Sequence, residues 1–334
     1  MASLPLPQIC ESLRAEQRLW LSTHVSPDPD AIGSSFSLAL ALQSLGKEVY
    51  VHLADPLPEK LKPLAGGVLF GSNIPEAEID AFVVVDTASR KRVGPSVEAI
   101  AAQAKRVYNI DHHVSNIGWA DLNHIDANAA ASAMIVWEML KLLRVSPSRQ
   151  MTNLLYGGLS DDTGGFCFSN TTPKALQCAA ELVEAGCEPA YVSNLIYFSQ
   201  PLRVLRLQAE ALARLEMVLG GRVALLWVDK GVLERSEAKV EDTEGLVDLA
   251  RKVEGTEAAV FARELEDGWK FSLRAKREDL DVNLIAGEFG GGGHRAAAGC
   301  KLVGTREHVC SQVLTKLESA LNSLAPIRTD TQQS

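Results

Sequence analysis

The sequence predicts an α/β chain of two domains: a parallel-sheet N-terminal domain with helices on both faces, and a smaller α+β C-terminal domain. Three observations lead there. From Leu19 to Ala185 short apolar runs of strand character alternate with segments of helical period, the pattern of a parallel sheet covered on both faces. Histidines and aspartates stand directly after those apolar runs. Past Gly186 the alternation gives way to a hairpin pattern and a last helix. The chain has 334 residues, 46% hydrophobic and 22% charged, which is ordinary globular composition and enough for two cores.

The first strand is Leu19-Trp20-Leu21-Ser22-Thr23. Residues 34–45 follow as a helix, since apolar side chains recur at helical spacing and Gly46 suits the helix end. Residues 49–53, 81–85 and 106–110 are further strands, and 129–143 and 174–185 further helices. Residues 189–216 read as mostly helical, broken at Pro201, and able to join two lobes. Beyond them the pattern predicts a strand over 222–228 and a helix over 243–253. A hairpin pairs 258–264 with 269–274 and turns near Glu266-Asp267-Gly268. The last helix covers 306–321. The expected organisation is a first domain over 1–187, a helical linker over 188–216, a second domain over 217–326 and a flexible polar tail over 327–334.

A net charge of −9 argues against a broad basic surface for long duplex nucleic acid, though not against a short phosphate-bearing ligand. Six scattered cysteines, with no Cys-x-x-Cys pair, point to structural thiols in a reducing, cytoplasmic setting. No apolar stretch is long enough to span a membrane, and no basic-then-apolar leader opens the chain.

Four short clusters carry the chemistry, each read as standing at the end of a strand: His24 with Asp28 and Asp30; Asp86; Asp111-His112-His113; and Asp162 in Asp161-Asp162-Thr163-Gly164. In open parallel sheets ligands bind beyond the carboxyl ends of the strands. Pro27 and Pro29 keep the first cluster extended, so Asp28 and Asp30 project to the same side. Taken alone, this segment reads equally as a turn with a helix cap, and Asp86 as a turn residue. Jointly they read differently. Two like charges 4 Å apart repel by roughly 4 kcal/mol at an effective dielectric of about 20. Four carboxylates therefore make sense around two divalent cations and poorly around none. Mixed oxygen and imidazole donors without thiolate suit Mn²⁺, with Mg²⁺ or Co²⁺ as substitutes. His52, His124 and His308 lie outside the clusters and read as structural or surface residues; Ser132 reads chiefly as helix packing.

These residues resemble the four motifs of the DHH phosphoesterase superfamily. Gly290-Gly291-Gly292-Gly293-His294-Arg295-Ala296-Ala297-Ala298-Gly299 resembles the signature of its DHHA1 substrate-binding domain. The chain is similar in size to the nanoRNase/pAp-phosphatase branch. The resemblance implies metal ligands His24, Asp28, Asp30, Asp86, His112 and Asp162, with Asp86 and Asp162 serving both ions. It implies that His113 touches the reacting phosphate or protonates the leaving oxygen, with Asp111 orienting a histidine. It implies substrate contacts from Arg274, Gly291, Gly292, Gly293, His294 and Arg295. Consecutive glycines let backbone amides approach a phosphate closely.

The function so implied is Mn²⁺-dependent hydrolysis of short single-stranded oligonucleotides or linear dinucleotides such as pApA to 5′-mononucleotides, of pAp, or of both. Two lobes closing on a chain end would disfavour duplexes. A family II pyrophosphatase or exopolyphosphatase shares the metal motifs and is the first alternative; a non-catalytic nucleotide sensor is the second. Whether the chain forms a homodimer stays open at this level.

Overall fold

The computed structural model describes residues 3–72 and 78–325, so the tail expected over 327–334 lies outside the described residues. The chain divides into two compact units, the first ending at Ser199 and the second beginning at Gln200.

The first unit runs α1 (Leu6–Ala15), β1 (Arg18–Ser22), α2 (Pro29–Ser44), β2 (Glu48–His52), β3 (Phe70–Gly71), β4 (Ile79–Val85), α3 (Pro95–Ala101), β5 (Ala104–Asp111), β6 (Leu122–Ile125), α4 (Ser132–Leu143), α5 (Arg149–Asp162), α6 (Pro173–Glu184) and α7 (Pro189–Ser193). Its sheet has the order β3-β2-β1-β4-β5-β6 and every pairing is parallel. Alternate residues of each strand supply two cores. Leu19, Leu21, Val83 and Val85 join α1, α2 and α4 on one face. Trp20, Phe82 and Val84 meet Val97 and Ile100 of α3 on the other. Strand order reverses between β1 and β4, and that switch point is where an open parallel sheet leaves a crevice at its carboxyl edge.

Two features of this unit depart from the sequence reading. The prolines do not hold the first cluster extended. Asp28 is the N-cap of α2, its side chain accepting from the Ala31 amide at 2.9 Å, and Pro29 takes the first helical position, where its missing N–H costs nothing. Asp30 therefore lies inside the first helical turn, fully buried. The second departure is Asp162, which ends a helix rather than a strand. An apolar run such as Asn153–Leu159 has no period that separates buried strand from buried helix. Ser148, accepting from the Met151 amide, caps it as helix α5.

Helix α2 is buried almost all round because α5 packs across it at very short range. A Cβ on Gly33 would run into the Leu154 carbonyl, and one on Gly158 would sit 2.6 Å from Asp30 Oδ1. The missing side chains let the two helices touch, which brings Asp162 up to Asp30.

The second unit runs α8 (Leu202–Leu212), β7 (Glu216–Val218), β8 (Val223–Val228), α9 (Lys230–Ser236), α10 (Leu246–Arg251), β9 (Ala258–Glu264), β10 (Gly268–Ala275), α11 (Val282–Glu288), β11 (Gly292–His294), β12 (Ala297–Val303) and α12 (Arg306–Ser323). Its mixed sheet has the order β11-β12-β10-β9-β8-β7, with β8 and β9 parallel and the remaining pairs antiparallel. The stretch read as one linker is shared out. Val192 and Ile196 are buried in the first unit's core, and Leu207 and Ala211 of α8 in a core of the second. Among the described residues, no helix is long and apolar enough to cross a membrane.

Candidate metal centre

His24 follows β1, Asp86 follows β4 and His112 follows β5, so three side chains converge at the switch point from neighbouring strand ends. Asp28 and Asp30 enter from the start of α2 and Asp162 from the end of α5. Asp86 is the hub. Its Oδ2 lies 3.5 Å from His24 Nε2 and its Oδ1 lies 3.4 Å from His112 Nε2. Asp86 takes a left-handed backbone (φ 57), a strained turn that directs its carboxyl into the cluster. His24 Nε2 is also 3.4 Å from Asp28 Oδ2, and His112 Nε2 is 3.1 Å from Asp162 Oδ2. Three overlapping donor groups result: His24, Asp28 and Asp86; Asp30, His112 and Asp162; and Asp86, His112 and His113.

Backbone partners aim the imidazoles. His24 Nδ1 lies 2.8 Å from the Val25 carbonyl and His112 Nδ1 lies 3.3 Å from the Ala129 carbonyl. Each Nδ1 therefore carries the donating hydrogen, which leaves Nε2 as the atom that faces the carboxylates and could ligate a cation once it has lost its proton. His113 differs. Its Nδ1 donates to Asp111 Oδ1 at 2.7 Å, and the fully buried Asp111 also accepts from Asn116 Nδ2 at 2.6 Å. The Nε2 of His113 is left for another partner.

The charge balance tests whether cations fit. Burial, then Asp86 and Asp162, holds the Asp30 carboxyl well above the usual carboxylate range. Burial also raises Asp162, against the pull of His112. Burial resists charge on the histidines, yet Asp28 and Asp86 push His24 up to about 10, and Asp162 and Asp86 push His112 up to about 12. Burial resists charge on Asp86 too, and His112 and His24 outweigh it and hold that carboxyl far down. Protons are thus standing where positive charge is wanted. Divalent cations would displace them, because ligating imidazole must be neutral and ligating carboxyl ionised. The donor set fits two hard or borderline cations.

Ser132, read from sequence as packing, belongs to the site's support. Its Oγ donates to Asp86 Oδ1 at 3.0 Å, while the amides of Ser132 and Ala133 donate to the two oxygens of Asp30 at 2.7 and 2.9 Å. Helix α4 follows Ala131, which offers no capping side chain, so Asp30 of α2 caps it instead. A helix start after three alanines was the available signal. His52 and His124 bond to Ser96 Oγ and the Leu4 carbonyl, and His308 is exposed.

In the second unit the glycine run is no free loop. Gly290 and Gly291 donate to the Gly287 and Ala286 carbonyls at the end of α11, so those amides are already engaged. Gly292, Gly293 and His294 pair with β12. A Cβ at Gly291 would meet the Gly299 carbonyl, so the first need for glycine is close sheet packing. His294 and Arg295 are exposed, and Arg274, at the end of β10, stands opposite Ala297 of β12, which is paired in turn with His294.

Residues 18–159 match the N-terminal domain of the DHH family and residues 220–324 match the DHHA1 domain. The chain is 37% identical over 299 residues to the bifunctional oligoribonuclease and PAP phosphatase NrnA of Thermus thermophilus, covering 89% of this chain and 88% of that one. It belongs to the DHH family. The protein of the same description from Bacillus subtilis is 27% identical over 308 residues, covering 90% and 93%. Among solved structures, an exopolyphosphatase-related protein from Bacteroides fragilis superposes with a TM-score of 0.87 at 25% identity, covering 94% of this chain and 95% of that one. The sequence expectation of a DHH/DHHA1 architecture therefore holds across the chain.

Proposed function

We propose that this DHH-family phosphohydrolase uses two divalent cations, Mn²⁺ foremost, to cleave short oligoribonucleotides to 5′-mononucleotides and to remove the 3′-phosphate of pAp. The split of Asp86, with one oxygen toward His24 and the other toward His112, carries the two-metal reading. One cation would be held by His24, Asp28 and Asp86, and the other by Asp30, Asp86, His112 and Asp162. Bound there, two cations lower the pKa of a water and neutralise the oxygens of a phosphoryl group.

Both substrates ask the protein for the same bond. Release of a 5′-mononucleotide and removal of a 3′-phosphate each break P–O3′, with the ribose O3′ as leaving oxygen. His113 would give that oxygen its proton from Nε2, a role supported by the Asp111 carboxylate at its Nδ1, which would stabilise the ring when charged. Arg274 and His294 supply phosphate contacts in the second unit. The relatives named NrnA support this substrate class. All six cysteines stand as free thiols, which supports a reducing, cytoplasmic setting.

The test is product analysis with Mn²⁺-loaded protein on pAp, pApA, an RNA 3-mer and pyrophosphate. Mononucleotide from RNA and AMP from pAp are expected. Turnover of pyrophosphate alone would overturn the reading in favour of a pyrophosphatase.

A further inference from the structure

The second sheet's face opposite α11 and α12 is covered by α8 and α10 over β8 and β9, while over β10, β12 and β11 it carries the exposed Lys270, Lys301 and His294. Trp269, Phe271 and Leu273 of β10 and Ala298 and Cys300 of β12 point into the core built with α11 and α12. Alternation then turns Lys270, Ser272 and Arg274, with Ala297, Gly299 and Lys301, to the opposite face. The register sorts that face into three rows. In the first, Arg263 of β9 stands opposite Lys270, and Lys270 opposite Lys301. The middle row is Phe261, Ser272, Gly299 and Gly292, which past the buried Phe261 is almost bare of side chains. In the third row stand Arg274, Ala297 and His294.

The first row is out of place as structure. Like charges directly opposed across strands destabilise a sheet. Among the described residues, Arg263, Lys270 and Lys301 have no hydrogen-bonding or ion-pair partner for their side chains, in a chain whose acids outnumber its bases. Arg263 is half-buried, and burial lowers its pKa with no acid to offset it. A cavity of about 220 Å³ runs over this face, lined by Arg263, Lys270, Phe261, Ser272 and Arg274, with Glu244 as its acidic lining residue. It joins the first row to the third. Lys270 and Arg274 are four residues apart on one strand, hence about 13 Å.

We propose that this face binds the phosphate backbone of a single-stranded oligonucleotide laid along the strands, with Arg274 and His294 at one phosphate and the Arg263–Lys270–Lys301 row at another. The bare middle row gives the chain between them room to lie flat. The inference rests on the nucleotide reading above and adds a length preference to it. At the rise of about 3.4 Å per nucleotide of a stacked strand, the rows are roughly four nucleotides apart. A pAp molecule reaches one row; a 5-mer reaches both.

The experiment compares the full-length protein with the triple variant Arg263→Gln, Lys270→Gln, Lys301→Gln, loaded with Mn²⁺. KM and kcat are measured on pAp, an RNA 2-mer and an RNA 5-mer, and binding of a labelled 2′-O-methyl RNA 5-mer is followed by anisotropy against salt. The expected result is a KM for the 5-mer raised about tenfold with kcat kept, and pAp and 2-mer kinetics within twofold of wild type. The salt slope of 5-mer binding should become shallower by about 0.7 for each phosphate that the protein no longer neutralises. Thermal melting should hold or rise, since the change removes repulsion. Equal losses on pAp and 5-mer, unchanged 5-mer binding, or a lowered melting temperature would each overturn the proposal. So would competition by AMP or inorganic phosphate matching that of the unlabelled 5-mer, which would mean a single-phosphate site. Wild-type protein that binds the 5-mer through this row yet hydrolyses none of the nucleotides would instead refute the enzymatic reading.

Discussion

In the first unit, aspartates and histidines are packed into a buried cluster where almost every polar atom has a fixed partner. Asp30 holds the two first amides of α4, Asp86 accepts from Ser132, and Asp111 is bonded to both His113 and Asn116. In the second unit, cations stand in rows on a sheet face that α8 and α10 cover only in part, and the foremost row has no protein partner among the described residues. The contrast is what the two proposed tasks would require. Groups that hold cations and move a proton must be fixed to fractions of an ångström, so their rotamers are locked by burial and by supporting bonds. Groups that meet a flexible polyanion gain from remaining hydrated and adjustable until it arrives.

If this contrast is right, the largest effect comes from the hub. Asp86→Asn should lower kcat by more than the 10–100-fold typical of supporting partners, with a parallel loss of bound metal measured by elemental analysis. Activity kept at normal metal content would break the two-metal assignment. Ser132→Ala should fall within that 10–100-fold window, through weaker metal affinity, because the hydroxyl only supports Asp86.

Two glycines sharpen the contrast through stability. Gly33→Ala forces α2 and α5 apart and should cost about 1–3 kcal/mol in urea unfolding and reduce metal binding, since Asp30 and Asp162 meet where these helices touch. Gly291→Ala should cost a similar amount by crowding Gly299, while metal content stays at the wild-type level. Equal loss of metal in both would deny that the centre belongs to the first unit alone.

The smallest effect is a pH-dependent one remote from both surfaces. Lys105, with the Arg18 amide, holds the Asp80 carboxyl down at about 2 from its usual 3.8. A depressed carboxyl contributes stability above its unfolded value and loses it as pH falls through the folded one. The melting-temperature difference between wild type and Asp80→Asn should therefore be full at pH 5, mostly lost at pH 2 and gone by about pH 1. A difference that persisted undiminished at pH 2 would mean that Asp80 acts by packing rather than charge.

Much of the site can be read from the chain because strand ends announce themselves. Leu19–Thr23, Phe82–Val85 and Val107–Ile110 are short and rich in apolar, aromatic or β-branched residues, and the polar residue after each marks the end of a strand. Asp162 is legible as a ligand type but not in its structural place. Its preceding run has no period that separates helix from strand, and only the Ser148 cap and the docking against α2 decide it. Asp28 and Asp30 carry the expected chemistry on an unexpected backbone, since Pro29 begins a helix as readily as it extends a loop.

The sequence by itself determined the donor types, their order and the strands that carry most of them. Those are local properties, written in hydrophobic pattern and in the residues that end it. Tertiary structure decided how the donors are shared and supported. The bond from Ser132 to Asp30 spans 102 residues and that from Ser132 to Asp86 spans 46, so both exist only once α4 has docked beside α2 and β4. The cationic row is of the same kind. Arg263, Lys270 and Lys301 are scattered in the chain and become neighbours only through the register of three strands, because in a sheet it is the pairing, not the sequence, that chooses which side chains stand opposite one another.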